Sequence, residues 1–205
     1  MEESLESADR ACSTVGCWRL FIACAFPADL HPDLLEWQRA AQRIMLEGVR
    51  WVPAHQWHMT LRFLGDVPAN QVSQVREGLE AACAGQKSFV LKLEGWGCFP
   101  SVQRPRVFWL GFGGEVRTLE HLQARIFEQT MAWGRQQEQG FRAHLTLARI
   151  RDGSPAARRG LDRCLDRLPS LPMISWAVEE VVLYRSELQP GGAVHTRIHG
   201  CRLQT

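Results

Sequence analysis

The chain reads WHMTLRFLG at residues 57–65 and FRAHLTLAR at residues 141–149. Both runs contain His-x-Thr-Leu among aliphatic and aromatic residues, a pattern typical of a short strand. Successive side chains of a strand point to opposite faces, so the His and the Thr of each run share one face. Each strand is therefore predicted to present an imidazole beside a hydroxyl on one side and apolar side chains for a core on the other.

The repetition of this motif indicates a function more strongly than either copy alone. The chain has seven histidines and seven threonines, for which random placement gives about 0.24 His-x-Thr matches. A single match most often marks a half-buried strand histidine whose hydrogen bond is satisfied. Two matches, each followed by Leu in a strand-like run, favour a shared chemical role for His58 and His144.

The composition is that of an ordinary globular protein. The 205 residues are 45% hydrophobic and 22% charged, which suits one domain or two closely packed lobes. A net charge of +2 permits a nucleic-acid substrate but does not indicate strong non-specific binding to nucleic acid. Apolar runs are far shorter than a membrane span, so we expect no membrane partner.

The cysteines and the first residues bear on the cellular compartment. Seven cysteines are scattered along the chain without a Cys-x-x-Cys pair, and their odd number favours free thiols in a reducing cytosol. Residues 1–16 are polar and acidic, and they lack the basic and apolar regions of a secretory signal. We therefore expect a flexible tail at residues 1–16 and a cytoplasmic protein.

The order of predicted elements indicates a diffuse internal duplication about a point near Gly97. Each half contains a strand, a helix, a motif strand, a helix and a strand, and the second half adds a closing strand. Strands are predicted at residues 17–26, 88–93, 106–112, 141–150, 173–185 and 194–203, and residues 51–64 are predicted to hold the first motif strand. Helices are predicted at residues 29–47, 69–84, 115–137 and 155–168, and a Gly/Pro-rich connection at residues 94–105. This mixture without strict alternation favours an α+β fold.

The motifs and their flanks resemble the two-histidine (2H) phosphoesterase superfamily. Within it they are similar to the RNA 2′,3′-cyclic phosphodiesterase branch, and the similarity extends from about Trp18 to Leu203. The flanking segments that carry it are WVP at residues 51–53, GCFP at 97–100, RPRVFWLG at 104–111 and LYRSEL at 183–188. The sequence departs from the pattern at His195, where members often carry an aromatic residue, and the segment before Cys17 has no counterpart.

The resemblance implies a fold and a site. We expect one bilobed domain at residues 17–205, with two pseudo-symmetric lobes that are each a mainly antiparallel sheet backed by helices. Both His-x-Thr faces are expected to meet in a central cleft. The partner that the resemblance implies is an RNA or oligonucleotide with a 2′,3′-cyclic phosphate end, bound by a protein that we expect to be a monomer.

Two imidazoles facing one substrate suit concerted acid–base catalysis, because one ring can be neutral and the other protonated near neutral pH. The resemblance implies that His144 is the proton acceptor that activates water. It implies that His58 is the proton donor to the departing 3′ oxygen, which leaves a 2′-phosphomonoester. The hydroxyls of Thr60 and Thr146 are predicted to bind the non-bridging phosphate oxygens.

Two arginines are candidates for the phosphate contact. Arg149 matches the cationic contact of the family, but strict alternation places it on the face away from His144, so the strand must twist, bulge or end there. Arg62 shares the His58 face and is the geometric alternative, although such a residue is more often a solvated strand residue.

Aromatic residues near the motifs are candidates for stacking on a nucleobase. They are Phe63 and one of Trp96 or Phe99. For Phe63 a core position is the stronger expectation.

Several alternatives stay open from the sequence. A 2′-5′ RNA ligase direction or hydrolysis of other cyclic phosphates would use the same residues, and a non-catalytic RNA or nucleotide binder would keep the fold. The remaining histidines lack carboxylate or cysteine partners at ligand spacing, which disfavours a two-histidine metalloenzyme. We therefore expect neither a metal nor another cofactor.

Overall fold

The computed structural model describes residues 16–45, 47–134, 140–151, 154–190 and 192–205, without the side chain of Leu165. These residues form nine strands and four α-helices. The strands are β1 Cys17–Ala25, β2 Val49–Trp51, β3 His58–Pro68, β4 Phe89–Ser101, β5 Arg104–Gly114, β6 His144–Ile150, β7 Ser175–Val178, β8 Glu180–Gln189 and β9 Gly192–Arg202. The helices are α1 His31–Ile44, α2 Val72–Cys83, α3 Val116–Gln129 and α4 Pro155–Arg167. The predicted tail at residues 1–16 lies outside the described residues except for Gly16.

The nine strands form one antiparallel sheet of two halves. Its order is β7-β4-β5-β6-β3-β1-β8-β9, with β2 paired to β6. The two motif strands β3 and β6 meet at its middle, where Met59 pairs with Leu145. One lobe therefore contains β1, β3, β8 and β9, and the other contains β2, β4, β5, β6 and β7. This architecture confirms the predicted α+β class and the mainly antiparallel lobes.

Two helices cross from one lobe to the other. Helix α1 follows β1 but packs with α4, and its Trp37 ring lies parallel to Phe108 of β5 at 6.2 Å between centroids. Helix α3 follows β5 but packs with α2 and β3. Apolar residues at helical spacing drive this packing, since Leu34, Trp37 and Ala41 of α1 are all buried. Each lobe thus supplies a helix to the back of the other lobe.

The predicted connection at residues 94–105 is wrong, because this segment belongs to the long hairpin of β4 and β5. Its glycines serve the strand interior. Gly95 has a φ of +67° beside a register shift between Leu93 and Trp96. A Cβ on Gly97 would lie 2.5 Å from the ring of Trp109 on the neighbouring strand. The glycines thus mark a bulge and a close approach of two strands rather than a loop.

Two other element predictions differ from the structure. The helix predicted to reach residue 137 ends at Gln129, where the backbone N–H of Thr130 is shared between the carbonyls of Ile126 and Phe127. The strand predicted at residues 173–185 is two strands separated by Glu179, of which β7 pairs with β4 and β8 with β1. Strand β7 at one end of the sheet and β8, next to the other end, are therefore consecutive in the chain, which requires a strongly curled sheet.

The cysteines agree with the sequence prediction only in part. Five of them, Cys24, Cys83, Cys98, Cys164 and Cys201, are buried free thiols. Cys17 is disulfide-bonded, so the prediction of free thiols throughout is wrong there. Cys12 lies outside the described residues. None of the helices within the described residues combines the length and the apolarity that crossing a membrane requires.

Candidate active site

A β-bulge interrupts the first motif strand directly after its threonine. In the pairing of β1 with β3, Ala23 lies opposite Thr60 and Ile22 lies opposite Arg62, which leaves Leu61 without an opposite residue. A bulge of this kind places two residues against one and changes the face that the following side chains occupy. Both Leu61 and Arg62 are consequently buried, and alternation resumes one residue out of phase.

The second motif strand carries the same bulge at the same position. In the pairing of β5 with β6, the residues opposite Thr146 and Ala148 are adjacent, which leaves Leu147 without an opposite residue. Leu147 and Ala148 are both buried, whereas Arg149 is exposed. The bulge therefore returns Arg149 to the face of His144, which is the departure from strict alternation that the predicted phosphate contact needs.

The bulge in β3 likewise returns Phe63 to the face of His58. Its ring is 65% exposed and lines a cleft of about 1410 Å³. The expectation of a core position for Phe63 is therefore wrong, because it assumed unbroken alternation. Phe99 lines the same cleft, whereas Trp96 packs against the buried ring of Phe108 at 5.5 Å between centroids.

The two motif histidines lie on one face of neighbouring strands. The pairing of Met59 with Leu145 places His58 and His144 on a diagonal across the strand pair. The Cα atoms of such diagonal neighbours are about 7–8 Å apart. Charge on His144 also disfavours charge on His58. The structure thus brings both rings to one site rather than into separate cores.

Both imidazoles are anchored in the same way. Nδ1 of His58 lies 2.7 Å from the carbonyl oxygen of Gln56, and Nδ1 of His144 lies 2.8 Å from that of Arg142. A carbonyl oxygen can only accept, so each Nδ1 carries the hydrogen and donates it. In both rings Nε2 is therefore the nitrogen left for a substrate.

The walls of the site differ on its two sides. His144 and Thr60 line the large cleft, where the ring of Phe99 meets His144 edge-on at 4.9 Å between centroids. His58 lines a smaller pocket of about 190 Å³ together with His195 and Phe21. Thr146 lies on the histidine face of β6 and is partly buried.

Burial and positive neighbours determine the ionisation of the histidines. Burial lowers the pKa of His58 to about 4, against the hydrogen bond to Gln56, and charge on His195, His144 and Arg149 lowers it further. The pKa of His144 is lowered as well, mainly by burial and then by the charges of Arg142 and Arg149. Both rings are therefore neutral at pH 7 in the ligand-free protein.

The two candidate arginines have different environments. Arg149 is exposed, and its charge lowers the pKa of His58, of His144 and of His195. Arg62 is 7% exposed, and its guanidinium donates to the carbonyl of Trp133 at 2.6 Å. The geometry thus places Arg149 among the histidines and commits Arg62 to a structural contact.

Three residues of the site carry no recognisable sequence signal for this position. His195 meets His58 edge-on at 5.4 Å between ring centroids, although it lies on β9. Phe21 of β1 contacts both rings, at 5.1 Å from His58 and 4.9 Å from His195. Arg142 stands over the ring of Phe99 at 5.8 Å. The curl of the sheet brings His195 to this position, since β9 is separated from β3 by two strands, whereas Phe21 lies on the strand that pairs with β3.

No group of three or more His, Cys, Asp or Glu side chains that could hold a metal ion occurs among the residues that the structure describes.

Comparison with known proteins identifies the family of this chain. A model of the LigT-like phosphoesterase family matches residues 25–109 and 114–195. An RNA 2′,3′-cyclic phosphodiesterase of Methanothermobacter thermautotrophicus is 30% identical over 155 residues, which cover 76% of this chain and 83% of that protein.

Two solved structures show the same fold. A crystal structure of a Thermus thermophilus protein has a TM-score of 0.72 at 30% identity and covers 91% of this chain and 98% of its own. The E. coli LigT complexed with 3′-AMP has a TM-score of 0.70 at 27% identity and covers 92% and 99%. With the family model matched over most of its length, this chain belongs to the LigT-like phosphoesterase family.

Proposed function

We propose that this protein hydrolyses 2′,3′-cyclic phosphate ends of RNA to 2′-phosphomonoesters by a metal-independent, two-histidine acid–base mechanism. The observation that carries the proposal is the pair of imidazoles on one face, each with Nδ1 bonded to a backbone carbonyl and Nε2 left for the substrate. The names of its relatives, RNA 2′,3′-cyclic phosphodiesterases, support the choice of substrate.

The proposed step needs no nucleophilic side chain. Nε2 of His144 takes a proton from water as the water oxygen bonds to phosphorus. The bond between phosphorus and the 3′ oxygen breaks, and His58 gives its Nε2 proton to that oxygen. The product is a 2′-phosphomonoester with a free 3′-hydroxyl, and solvent returns the proton from His144 to His58.

The negative charge that develops on the phosphate is stabilised by neighbouring donors. Arg149 supplies the positive charge, and the hydroxyls of Thr60 and Thr146 supply donors on the same face. A bound anionic phosphate also favours imidazolium and opposes the lowered pKa of His58. In this proposal His58 therefore acquires its proton together with the substrate.

The assignment of donor and acceptor follows the family resemblance, since the pKa of each ring is lowered in the ligand-free site. The position of the phosphate in the product tests this assignment, because a proton delivered to the 3′ oxygen leaves the phosphate at the 2′ position. A 3′-phosphate product would reverse the roles or the orientation of the substrate.

The large cleft suits the RNA beside the cyclic end. Phe63 presents an exposed ring to it, and a nucleobase stacks on such a ring with about 1–3 kcal/mol. Arg142 over Phe99 adds a cationic edge to the same wall. We place this activity in a cytoplasmic monomer, since one chain supplies the whole site and five of its thiols are free.

An assay with a cyclic-ended oligonucleotide in EDTA tests the proposal. Wild-type protein is expected to open the ring and leave a 2′-phosphate. His58→Ala and His144→Ala should each lower turnover by about 10²–10⁴-fold. His121→Ala, at an exposed position of α3, is the matched histidine control and should retain wild-type turnover.

Three results would contradict the proposal. They are near-wild-type turnover in either motif variant, cleavage that needs an added divalent metal, and binding of the oligonucleotide without any turnover. The last result would identify a non-catalytic binder. Joining of 2′-5′ linkages faster than ring opening would identify the ligase direction instead.

A further inference from the structure

Two buried glutamines contact the bulges of the motif strands. Gln38 of α1 is 3% exposed, and its Nε2 lies 3.4 Å from the carbonyl oxygen of Leu147. Gln123 of α3 is 6% exposed, and its Nε2 lies 3.3 Å from the carbonyl oxygen of Leu61. Leu61 and Leu147 are the residues directly after the motif threonines that the neighbouring strand leaves unopposed. Each half of the chain therefore sends one amide to the bulge of the other half.

Burying these two side-chain amides lowers the stability of the fold unless they form hydrogen bonds. Glutamine is mostly exposed in proteins, and burying an amide without a hydrogen bond is unfavourable. A buried backbone carbonyl that loses its donor costs about 1–3 kcal/mol. At a bulge the ladder to the neighbouring strand is locally disrupted, so a side-chain amide can reach the carbonyl of the bulged residue. The glutamine and the bulge thus satisfy each other across the boundary between the lobes.

The two contacts are not identical. The carbonyl of Leu147 also accepts from the backbone N–H of Val52 at 2.8 Å, and Gln38 also donates to the carbonyl of Val52 at 3.2 Å. Gln38 therefore joins the bulge of β6 to the segment after β2. The bulge in β3 receives its side-chain amide from Gln123.

Each bulge determines which residue faces the site. Without the unopposed leucine, alternation would turn Arg149 and Phe63 to the apolar face and bring Ala148 and Arg62 to the histidines. The bulges thus place a cation at one histidine and an aromatic ring at the other. A change that lets a strand regain regular pairing would remove that side chain from the site.

We propose that Gln38 and Gln123 are positioning residues, which hold the two bulges and thereby keep Arg149 and Phe63 on the histidine face. The inference rests on the proposed function, because Arg149 and Phe63 are given roles toward substrate there. It predicts that each glutamine acts through one particular residue of the site rather than through the stability of the whole protein.

A double-mutant cycle on the β6 bulge tests the first half. Gln38→Met keeps the length of the side chain and removes the amide. We expect it to lower kcat/KM by about 10-fold, and Arg149→Ala to lower it by about 10–100-fold, as for a lost charge-assisted contact. Because Gln38 acts through Arg149, the double variant should be no slower than Arg149→Ala alone.

The β3 bulge offers an independent cycle with a different readout. Gln123→Met and Phe63→Ala should both raise KM for a cyclic-ended oligonucleotide several-fold while kcat stays within about twofold, since stacking contributes to binding. The double variant should match Phe63→Ala. Gln129→Met, on the exposed side of the same helix, is the control and should leave both constants unchanged.

The outcomes separate this inference from the function on which it rests. An inactive wild-type protein would overturn the proposed hydrolysis. An active wild type whose paired substitutions have multiplicative effects would overturn the positioning role alone. If both glutamine variants lost kcat and KM to the same extent, in proportion to a lowered thermal stability, the positioning role would likewise be overturned. Gln38 and Gln123 would then be residues that only stabilise the fold. If a variant of one double-mutant cycle does not fold, the other cycle still tests the positioning role of its own glutamine.

Discussion

At the scale of single residues, the environment of His58 distinguishes this site from a generic pair of histidines. The ring is mostly buried and lies between Phe21 and a third imidazole, His195. Charge on His195 opposes charge on His58, and Arg149 opposes both. Nδ1 of His195 is buried and has no hydrogen-bond partner among the described residues. After burial, charge on His195 is therefore one of the influences that lower the pKa of His58.

The substitution His195→Phe tests this influence. Phenylalanine retains an aromatic ring against Phe21 and keeps the pocket buried, but it removes a titratable charge. We expect the pKa of His58 to rise, because one of the groups that lower it is gone. An NMR titration of the His58 ring in the ligand-free protein measures this directly.

The same change should move the pH dependence of kcat/KM. A proton donor must be protonated, so a higher pKa of His58 shifts its limb of the profile toward higher pH and raises the rate near pH 7. His121→Phe, at an exposed position of α3, should leave the profile unchanged. An unshifted His58 titration in His195→Phe would show that the two rings are electrostatically independent.

At the scale of elements, Arg62 connects a strand to the end of a helix. Its guanidinium donates to the carbonyls of Trp133 at 2.6 Å and Thr130 at 3.3 Å, and it stands over the ring of Phe127 at 4.2 Å. These three partners belong to the last turn of α3 and the turn that follows it. The bulge in β3 turns Arg62 inward. Arg62, a candidate phosphate contact from the sequence, therefore connects β3 to the end of α3.

Arg62→Met and Arg149→Met should therefore have opposite consequences. Arg62→Met removes two bonds to buried carbonyls and is expected to lower the free energy of unfolding by about 1–3 kcal/mol, with kcat/KM within about threefold of wild type. Arg149→Met, at an exposed position, should leave unfolding within about 0.5 kcal/mol and lower kcat/KM by about 10-fold or more.

Urea unfolding and steady-state kinetics on the two variants measure both quantities. If Arg62→Met were the variant that loses activity at unchanged stability, Arg62 would be the phosphate contact, and the placement of Arg149 would have to be revised.

At the scale of the whole molecule, the site lies where the two halves of the sheet join. The curl of the sheet brings β9 to β3, and the single pairing of Met59 with Leu145 joins the lobes at its centre. Three imidazoles are partly buried there, and burial lowers the pKa of each. Folding therefore keeps these rings neutral at a pH at which the unfolded chain would protonate them.

Stability should consequently fall on acidification before most carboxylates titrate. The pKa of His58 is about 4 in the folded protein against 6.5 for an unperturbed ring. Between these values the unfolded state binds more protons, so stability decreases as pH falls from about 6.5 to about 4. That difference in pKa is worth about 3 kcal/mol, an upper value for a ring that keeps some contact with solvent.

Urea unfolding of wild type and His58→Gln at several pH values isolates this contribution, because other titrating groups are common to both proteins. The variant should lose stability less steeply between pH 6.5 and pH 4. Parallel curves would mean that His58 titrates alike in the folded and unfolded chain. An added anion at the site, such as inorganic phosphate, should reduce the steepness in the wild type by favouring the charged rings.

The sequence by itself determined the local properties of this protein. The alternation of His and Thr with apolar residues identified both motif strands, and the mixed order of elements predicted the α+β class. The mainly antiparallel lobes that the structure shows were implied by the resemblance of the motifs to a known family. These features are local, because the period of a strand or helix is expressed in the chemistry of nearby side chains.

Only the tertiary structure decided which residues surround the motif. Whether Leu61 has an opposite residue depends on how many residues the neighbouring strand supplies, and that number is set by pairing partners far away in the chain. The inward turn of Arg62, the exposure of Phe63 and the return of Arg149 to the site all follow from these bulges. The contact of His195 with His58 depends in the same way on the curl of the whole sheet, because the two residues lie on strands separated by two others.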